Sequence, residues 1–241
     1  MRALVTGAAI RVGAAIAREL AASGFDLVLH YRSSEEQALQ TAEDCRALGV
    51  QVQLVRADLA TAQGCDDVVQ AVLSGGDDLD LLVNNASIFN PRRFEDIDDG
   101  EWERQHDINL RAPFRLSQGL LKALRAGDGG VVVHMVDIGA EQPVTEHTAY
   151  SASKAGLAML VRSMAVELAP AVRTVGVCPG QVCWPEDYSD AKRQHLSRRI
   201  PMGRAGTPEE VAKLVRFLAT EGTYLNGNLI EVDGGLSLRY G

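Results

Sequence analysis

What most constrains this chain is an alternation: short apolar runs recur between longer stretches whose apolar residues fall at helical spacing. The runs predict strands at 3–6, 26–31, 51–56, 79–84, 130–136, 173–178 and 228–232, and the stretches predict helices at 12–22, 35–48, 63–73, 102–126, 149–168 and 208–219. Runs that are apolar throughout suit strands covered on both faces. Right-handed crossovers then give a doubly wound, mostly parallel, Rossmann-like α/β sheet of about seven strands. The pattern crosses all 241 residues without a structureless linker, which predicts a single domain, and 46% apolar residues supply one core.

One long segment does not fit the alternation. Residues 181–207 follow a strand's C-terminal end and mix Pro185, Pro201, Gly203 and Gly206 with a basic helical stretch. Ligands of open α/β sheets sit outside those strand ends, so this segment is expected to be a substrate lid.

The net charge of −8, with no long run of Lys or Arg, excludes a nucleic-acid partner as the expected function. Cys45, Cys65, Cys178 and Cys183 lack the close pairing of a zinc site, so no metal is expected and the thiols are expected to be free in a reducing cytosol. The chain enters its first strand at Arg2-Ala3-Leu4-Val5, with no room for a leader, and no apolar run is long enough for a membrane span. A cytoplasmic protein is the expectation.

Directly after the first strand comes Thr6-Gly7-Ala8-Ala9-Ile10-Arg11-Val12-Gly13, a small-residue turn opening a helix whose free amides and dipole suit a pyrophosphate. Arg11 in the first turn opposes the helix dipole unless an anion lies beside it. After the second strand the chain reads His30-Tyr31-Arg32-Ser33-Ser34, with no carboxylate to bond a free ribose. Arg32 can bond a 2′-phosphate in bidentate fashion and the serines can donate to it, which predicts NADPH as cofactor. Tyr150 and Lys154, four positions apart, project from one helix face. A nearby ammonium is expected to lower the phenol pKa and prepare Tyr150 for proton transfer.

Thr6-Gly7 with Gly13, Asn84-Asn85-Ala86, Asn109, Tyr150-x-x-x-Lys154, Pro179-Gly180 and Asp233-Gly234-Gly235 together resemble the short-chain dehydrogenase/reductase superfamily, in order along the whole chain. The resemblance implies Tyr150 as proton donor, Lys154 as ribose anchor and pKa modifier, and Asn109 as organiser of a water-linked proton relay. It implies cofactor contacts from Gly7, Arg11, Val12, His30, Tyr31, Arg32, Ser33, Asp58 and Leu59. Asn85, Ala86, Ser87, Tyr150, Lys154, Pro179 and Gly180 complete that set. It also implies a homotetramer of two-fold symmetry, with helices 102–126 and 149–168 paired across one interface.

Two departures from the superfamily pattern are informative. Arg11 stands where most members have a second glycine, and Asp137 stands where most have a serine thirteen residues ahead of the tyrosine. An ionised carboxylate only accepts hydrogen bonds, so Asp137 suits a substrate rich in N–H donors better than a ketone. Alternatively, burial beside Tyr150 keeps Asp137 protonated and able to feed a proton towards a ring nitrogen. With Leu29-His30-Tyr31-Arg32-Ser33, Asn85-Ala86-Ser87-Ile88-Phe89 and Met135-Val136-Asp137, the chain is similar to the pteridine reductases of that superfamily. That similarity implies Phe89 stacked on a pterin opposite the nicotinamide, Arg11 reaching cofactor phosphate and pterin, and substrate contacts from Ser87, Asp137 and Tyr150. Ile10, where a basic residue often precedes the arginine, and Val182, where a serine is expected, depart from that pattern. Three functions therefore stand open: a pteridine reductase, a reductase of other carbonyl compounds such as 3-oxoacyl thioesters, and a non-catalytic NADPH-binding regulator.

Overall fold

A computed structural model describes residues 1–127, 129–184 and 188–238. Its strands are β1 (Arg2–Val5), β2 (Asp26–Tyr31), β3 (Val52–Arg56), β4 (Leu81–Asn84), β5 (Gly130–Met135), β6 (Val172–Pro179) and β7 (Leu229–Val232). They form one seven-stranded sheet in the order β3-β2-β1-β4-β5-β6-β7, parallel throughout. Strand order reverses at β1, which pairs with β2 through Val5 and Leu29 and with β4 through Val5 and Val83. The crevice outside that reversal point is where such a sheet binds ligands.

Two apolar layers flank the sheet because successive side chains of a strand point to opposite faces. Ala3, Val5, Leu81, Val83, Val131 and Val133 pack on helices α1 (Arg11–Ala22) and α9 (Pro208–Thr220), with Ala42 and Cys45 of α2 (Glu35–Arg46). The intervening Leu4, Leu82 and Val132 face α3 (Ala62–Ser74), α5 (Ala112–Gly119) and α6 (Leu121–Leu124). The central strands β1, β4 and β5 are buried on both sides, as their apolar runs require, while β3 and β7 at the edges carry the exposed Arg56 and Glu231.

The predicted helix over 102–126 is not one helix. The chain forms α4 (Asp99–His106), a π-helical turn (Asp107–Arg111), then α5 and α6. Pro113 in the first turn of α5 has no N–H to continue the α ladder, so α5 starts afresh. The segment 181–207, expected to be a lid, carries α8 (Asp190–Ser197), capped by Ser189 accepting from the Lys192 N–H at 3.3 Å; Pro185, with 186 and 187, lies outside the described residues. Helix α7 (Thr148–Leu168) presents Tyr150 and Lys154. Among the described residues no helix is long and apolar enough to cross a membrane.

Candidate active site

The turn after β1 is held from three sides. Thr6 Oγ1 accepts from the Asn85 and Ala86 N–H groups at 2.9 Å each, and Asn85 Nδ2 donates to the Thr6 and Gly7 carbonyls at 2.8 and 3.1 Å. The Gly7 N–H donates to His30 Nδ1 at 3.1 Å. That bond puts the ring hydrogen on Nε2, which donates to the Ala57 carbonyl at 3.2 Å. Burial pushes the His30 pKa down, against the Ala57 bond and the nearby Asp58 charge, so the ring stays neutral as a brace behind the turn. A Cβ at Gly13 would lie 2.1 Å from the Gly7 carbonyl oxygen and 2.6 Å from Asn85 Nδ2. Only glycine lets the helix approach the strand this closely.

Arg11 opens α1 at φ 51°, in the left-handed region that L side chains rarely adopt. A cavity of about 500 Å³ lies against this turn. Of the residues expected at the cofactor, Gly7, Arg11, Val12, His30, Tyr31, Arg32, Ser33, Asp58, Leu59, Asn85, Ala86, Ser87 and Gly180 line it. Pro179, Tyr150 and Lys154 do not. Arg32 and Ser33 are exposed at its rim, and α1 has no acidic side chain in its first turn to compete for the amides. The glycine cradle and the open amides fit the pyrophosphate of a dinucleotide.

The second group of residues gathers where β5 meets α7. Tyr150 Oη donates to Asp137 Oδ2 at 2.9 Å, and the other Asp137 oxygen accepts from the Gly139 N–H at 2.6 Å. Lys154 Nζ donates to the Met135 carbonyl at 2.7 Å and lies 5.6 Å from the centre of the Tyr150 ring. This corrects the expectation that the ammonium lowers the phenol pKa. Burial, then the Asp137 carboxylate, raise Tyr150 well above the ordinary phenol value, because the ammonium is turned to a backbone carbonyl and the phenol to an anion. Burial lowers Lys154 to about 8 against the pull of Asp137, and burial raises Asp137 although Gly139, Lys154 and Tyr150 oppose it. Tyr150 therefore holds its proton at neutral pH, and Asp137 takes one up at higher pH than a free carboxyl does.

Asn109 sits in the π turn, fully buried. Its Oδ1 accepts from Ser87 Oγ and the Ile88 N–H, each at 3.0 Å, and its Nδ2 donates to the Ile88 carbonyl, Gln105 Oε1 and Ser153 Oγ, each at 3.1 Å. The wide turn thus ties the loop after β4 to α7. Phe89, on that loop, is half exposed and stacks on His147, with ring centres 3.8 Å apart and planes within 16°, and meets Tyr150 edge-on at 4.6 Å. His147 went unnoticed in the sequence. The available signal was its place one helical turn ahead of Tyr150. Asp137, Tyr150, Lys154 and Phe89 are brought together, whereas Arg11 lies at the cofactor cavity with no contact to them.

Comparison with known proteins places this geometry. The family model described as enoyl-(acyl carrier protein) reductase matches residues 7–237. The 3β-hydroxysteroid dehydrogenase 1 of Eggerthella lenta is 33% identical over 244 residues, covering 98% of this chain and 93% of that protein. The 3-oxoacyl-(acyl-carrier-protein) reductase of Staphylococcus aureus is 31% identical over 238 residues, 97% of both chains. The crystal structure of acetoin dehydrogenase from Salmonella typhimurium superposes with a TM-score of 0.92 at 30% identity, covering 99% of this chain and 96% of that one.

Proposed function

The chain belongs to the short-chain dehydrogenase/reductase superfamily, as an oxidoreductase that uses a nicotinamide cofactor, and from that premise we propose that it is an NADPH-dependent reductase taking a dihydropterin or dihydrofolate to its tetrahydro form. The observation that carries this reading is the Tyr150–Asp137 hydrogen bond of 2.9 Å, at a position where a ketone reductase of this superfamily needs a donor. An acceptor there suits a heterocycle with amino and ring N–H groups.

The cofactor, when bound, supplies the hydride to a ring carbon. Tyr150 gives its phenolic proton to the adjacent ring nitrogen and takes one back from solvent, while the Asp137 carboxylate holds the hydroxyl by accepting its hydrogen bond. Lys154 provides positive charge behind Tyr150 and anchors the ribose. Phe89 offers an aromatic face beside Tyr150, and Arg11 and Ser87 complete the substrate's surroundings. Arg32 and Ser33 select NADPH by their donors at the rim of the cavity.

A second reading has its own support: the relatives named above act, by their names, on carbonyl compounds or their alcohols, and they favour a reductase of substrates such as 3-oxoacyl thioesters. The deciding experiment is NADPH oxidation with dihydrobiopterin and dihydrofolate beside simple ketones and an acetoacetyl thioester. Turnover of a pterin with the ketones left untouched is the expected result; the reverse pattern replaces the first reading by the second. The same proposal includes a homotetramer, since the neighbouring α5 and α7 expose Phe114, Met159 and Val166.

A further inference from the structure

A second cavity, of about 720 Å³, lies beyond Gln181, which lines both cavities. It begins at Ile138, next to Asp137, and runs between Val144 on one side and Trp184, Leu196 and Ile200 of the lid on the other. The walls are mainly apolar. Among the described residues the single charged group lining it is Arg199, and no carboxylate does.

Arg199 is exposed, and among the described residues its guanidinium has no partner, unlike Arg204, which pairs with Glu210 at 2.7 Å. In a chain of net charge −8, residues 190–199 carry Lys192, Arg193, Arg198 and Arg199 against Asp190 alone. A bicyclic head or an acetoacetyl group placed at Tyr150 leaves this volume unfilled, yet it is the size that ligands of some hundreds of Å³ occupy. Apolar walls take the uncharged middle of such a ligand. A guanidinium at the end, with no carboxylate beside it among the described residues, calls for an anion.

We propose that this cavity receives the tail of the substrate and that Arg199 binds an anionic group, carboxylate or phosphate, on that tail. The inference rests on the reading that Tyr150 marks the reacting end. Two sources share this chemistry: the p-aminobenzoylglutamate tail of a folate-type pterin and the phosphopantetheine arm of a thioester. A substrate lacking such a tail gains nothing from Arg199.

The test is calorimetric titration of p-aminobenzoylglutamate and of phosphopantetheine into the NADPH-loaded protein, wild type, Arg199→Gln and Arg199→Lys. One fragment is expected to bind, to lose about tenfold or more in affinity in Arg199→Gln, as for a charged hydrogen bond, and to recover part of it in Arg199→Lys. Which fragment binds identifies the source. In kinetics, Arg199→Gln raises KM about tenfold for dihydrofolate or acetoacetyl-CoA, with kcat kept, and leaves dihydrobiopterin or a short neutral thioester unchanged. Binding of neither fragment, or equal binding by wild type and Arg199→Gln, overturns the proposal. If the fragment responds to Arg199 but neither pterins nor 3-oxo thioesters are reduced, the tail site stands and the assigned reaction falls.

Discussion

The phenolic hydroxyl of Tyr150 is already bonded to the Asp137 carboxylate across 2.9 Å, so the proton proposed for transfer sits in a hydrogen bond within the protein itself. Tyr150→Phe keeps the ring and removes that proton. It is expected to abolish turnover with NADPH affinity nearly unchanged, whereas Lys154→Ala damages both; near-normal turnover by the phenylalanine variant assigns the proton to another group.

Replacing Asp137 separates the two substrate readings. Asp137→Ser is expected to lower kcat/KM for a dihydropterin at least about tenfold, ~1.4 kcal/mol of transition-state stabilisation, with little change in NADPH affinity. If the variant instead gains activity on ketones while the wild type ignores every pterin, the pteridine reading is wrong.

The alkaline side of the rate profile belongs to Lys154. Burial brings its ammonium to about 8, so kcat/KM measured with limiting NADPH is expected to fall as pH rises through that value, while Tyr150 remains a phenol. The Asp137 charge raises Lys154, so Asp137→Asn moves the fall to lower pH. A profile that stays level up to about pH 9.5 contradicts this assignment.

Much of this was readable from residues alone, for physical reasons. Strands covered on both faces announce themselves as unbroken apolar runs, and the observed β2 has the predicted bounds. Tyr150 and Lys154 stand out because helical spacing fixes their common face. The break at 107–111 was not legible, since a π turn has no composition of its own and depends on what Asn109 reaches across the fold. The direction of the Tyr150 shift was missed for a related reason. Spacing places the ammonium near the phenol, but only the fold shows that Met135 takes the ammonium's hydrogen bond and Asp137 takes the phenol's.

Arg11 is held against its backbone preference. Arg11→Gly relieves a left-handed residue, a cost of about 1–2 kcal/mol offset partly by the added freedom of glycine in the unfolded chain. Thermal stability is therefore expected to hold or rise while NADPH affinity drops about tenfold, the scale of one charged hydrogen bond. Loss of stability with cofactor affinity intact shows the arginine to be structural. At the rim, Arg32→Asp is expected to turn the preference from NADPH to NADH in direct titration.

Gly13→Ala tests the cradle itself. Its methyl group would sit 2.1 Å from the Gly7 carbonyl oxygen, so the turn must open. Destabilisation of about 2 kcal/mol or more is expected from overpacking, together with weakened cofactor binding, by thermal melts and fluorescence titration. A variant with wild-type melting and affinity contradicts the close approach.

Light scattering at micromolar concentration is expected to give a tetramer. Met159→Glu and Val166→Glu, on the exposed face of α7, are expected to lower the mass.

The wide turn at Asp107–Arg111 makes chain length part of the site's definition. Deleting one residue there lets the ladder close as an ordinary α-helix, so α4 and α5 keep their places while the residues of the turn itself are re-aimed. Asn109 then swings from Ile88 and Ser153, although every residue with a role in the chemistry is still present. A homologue with the same side chains and one residue fewer would keep the motif in its sequence without assembling this site.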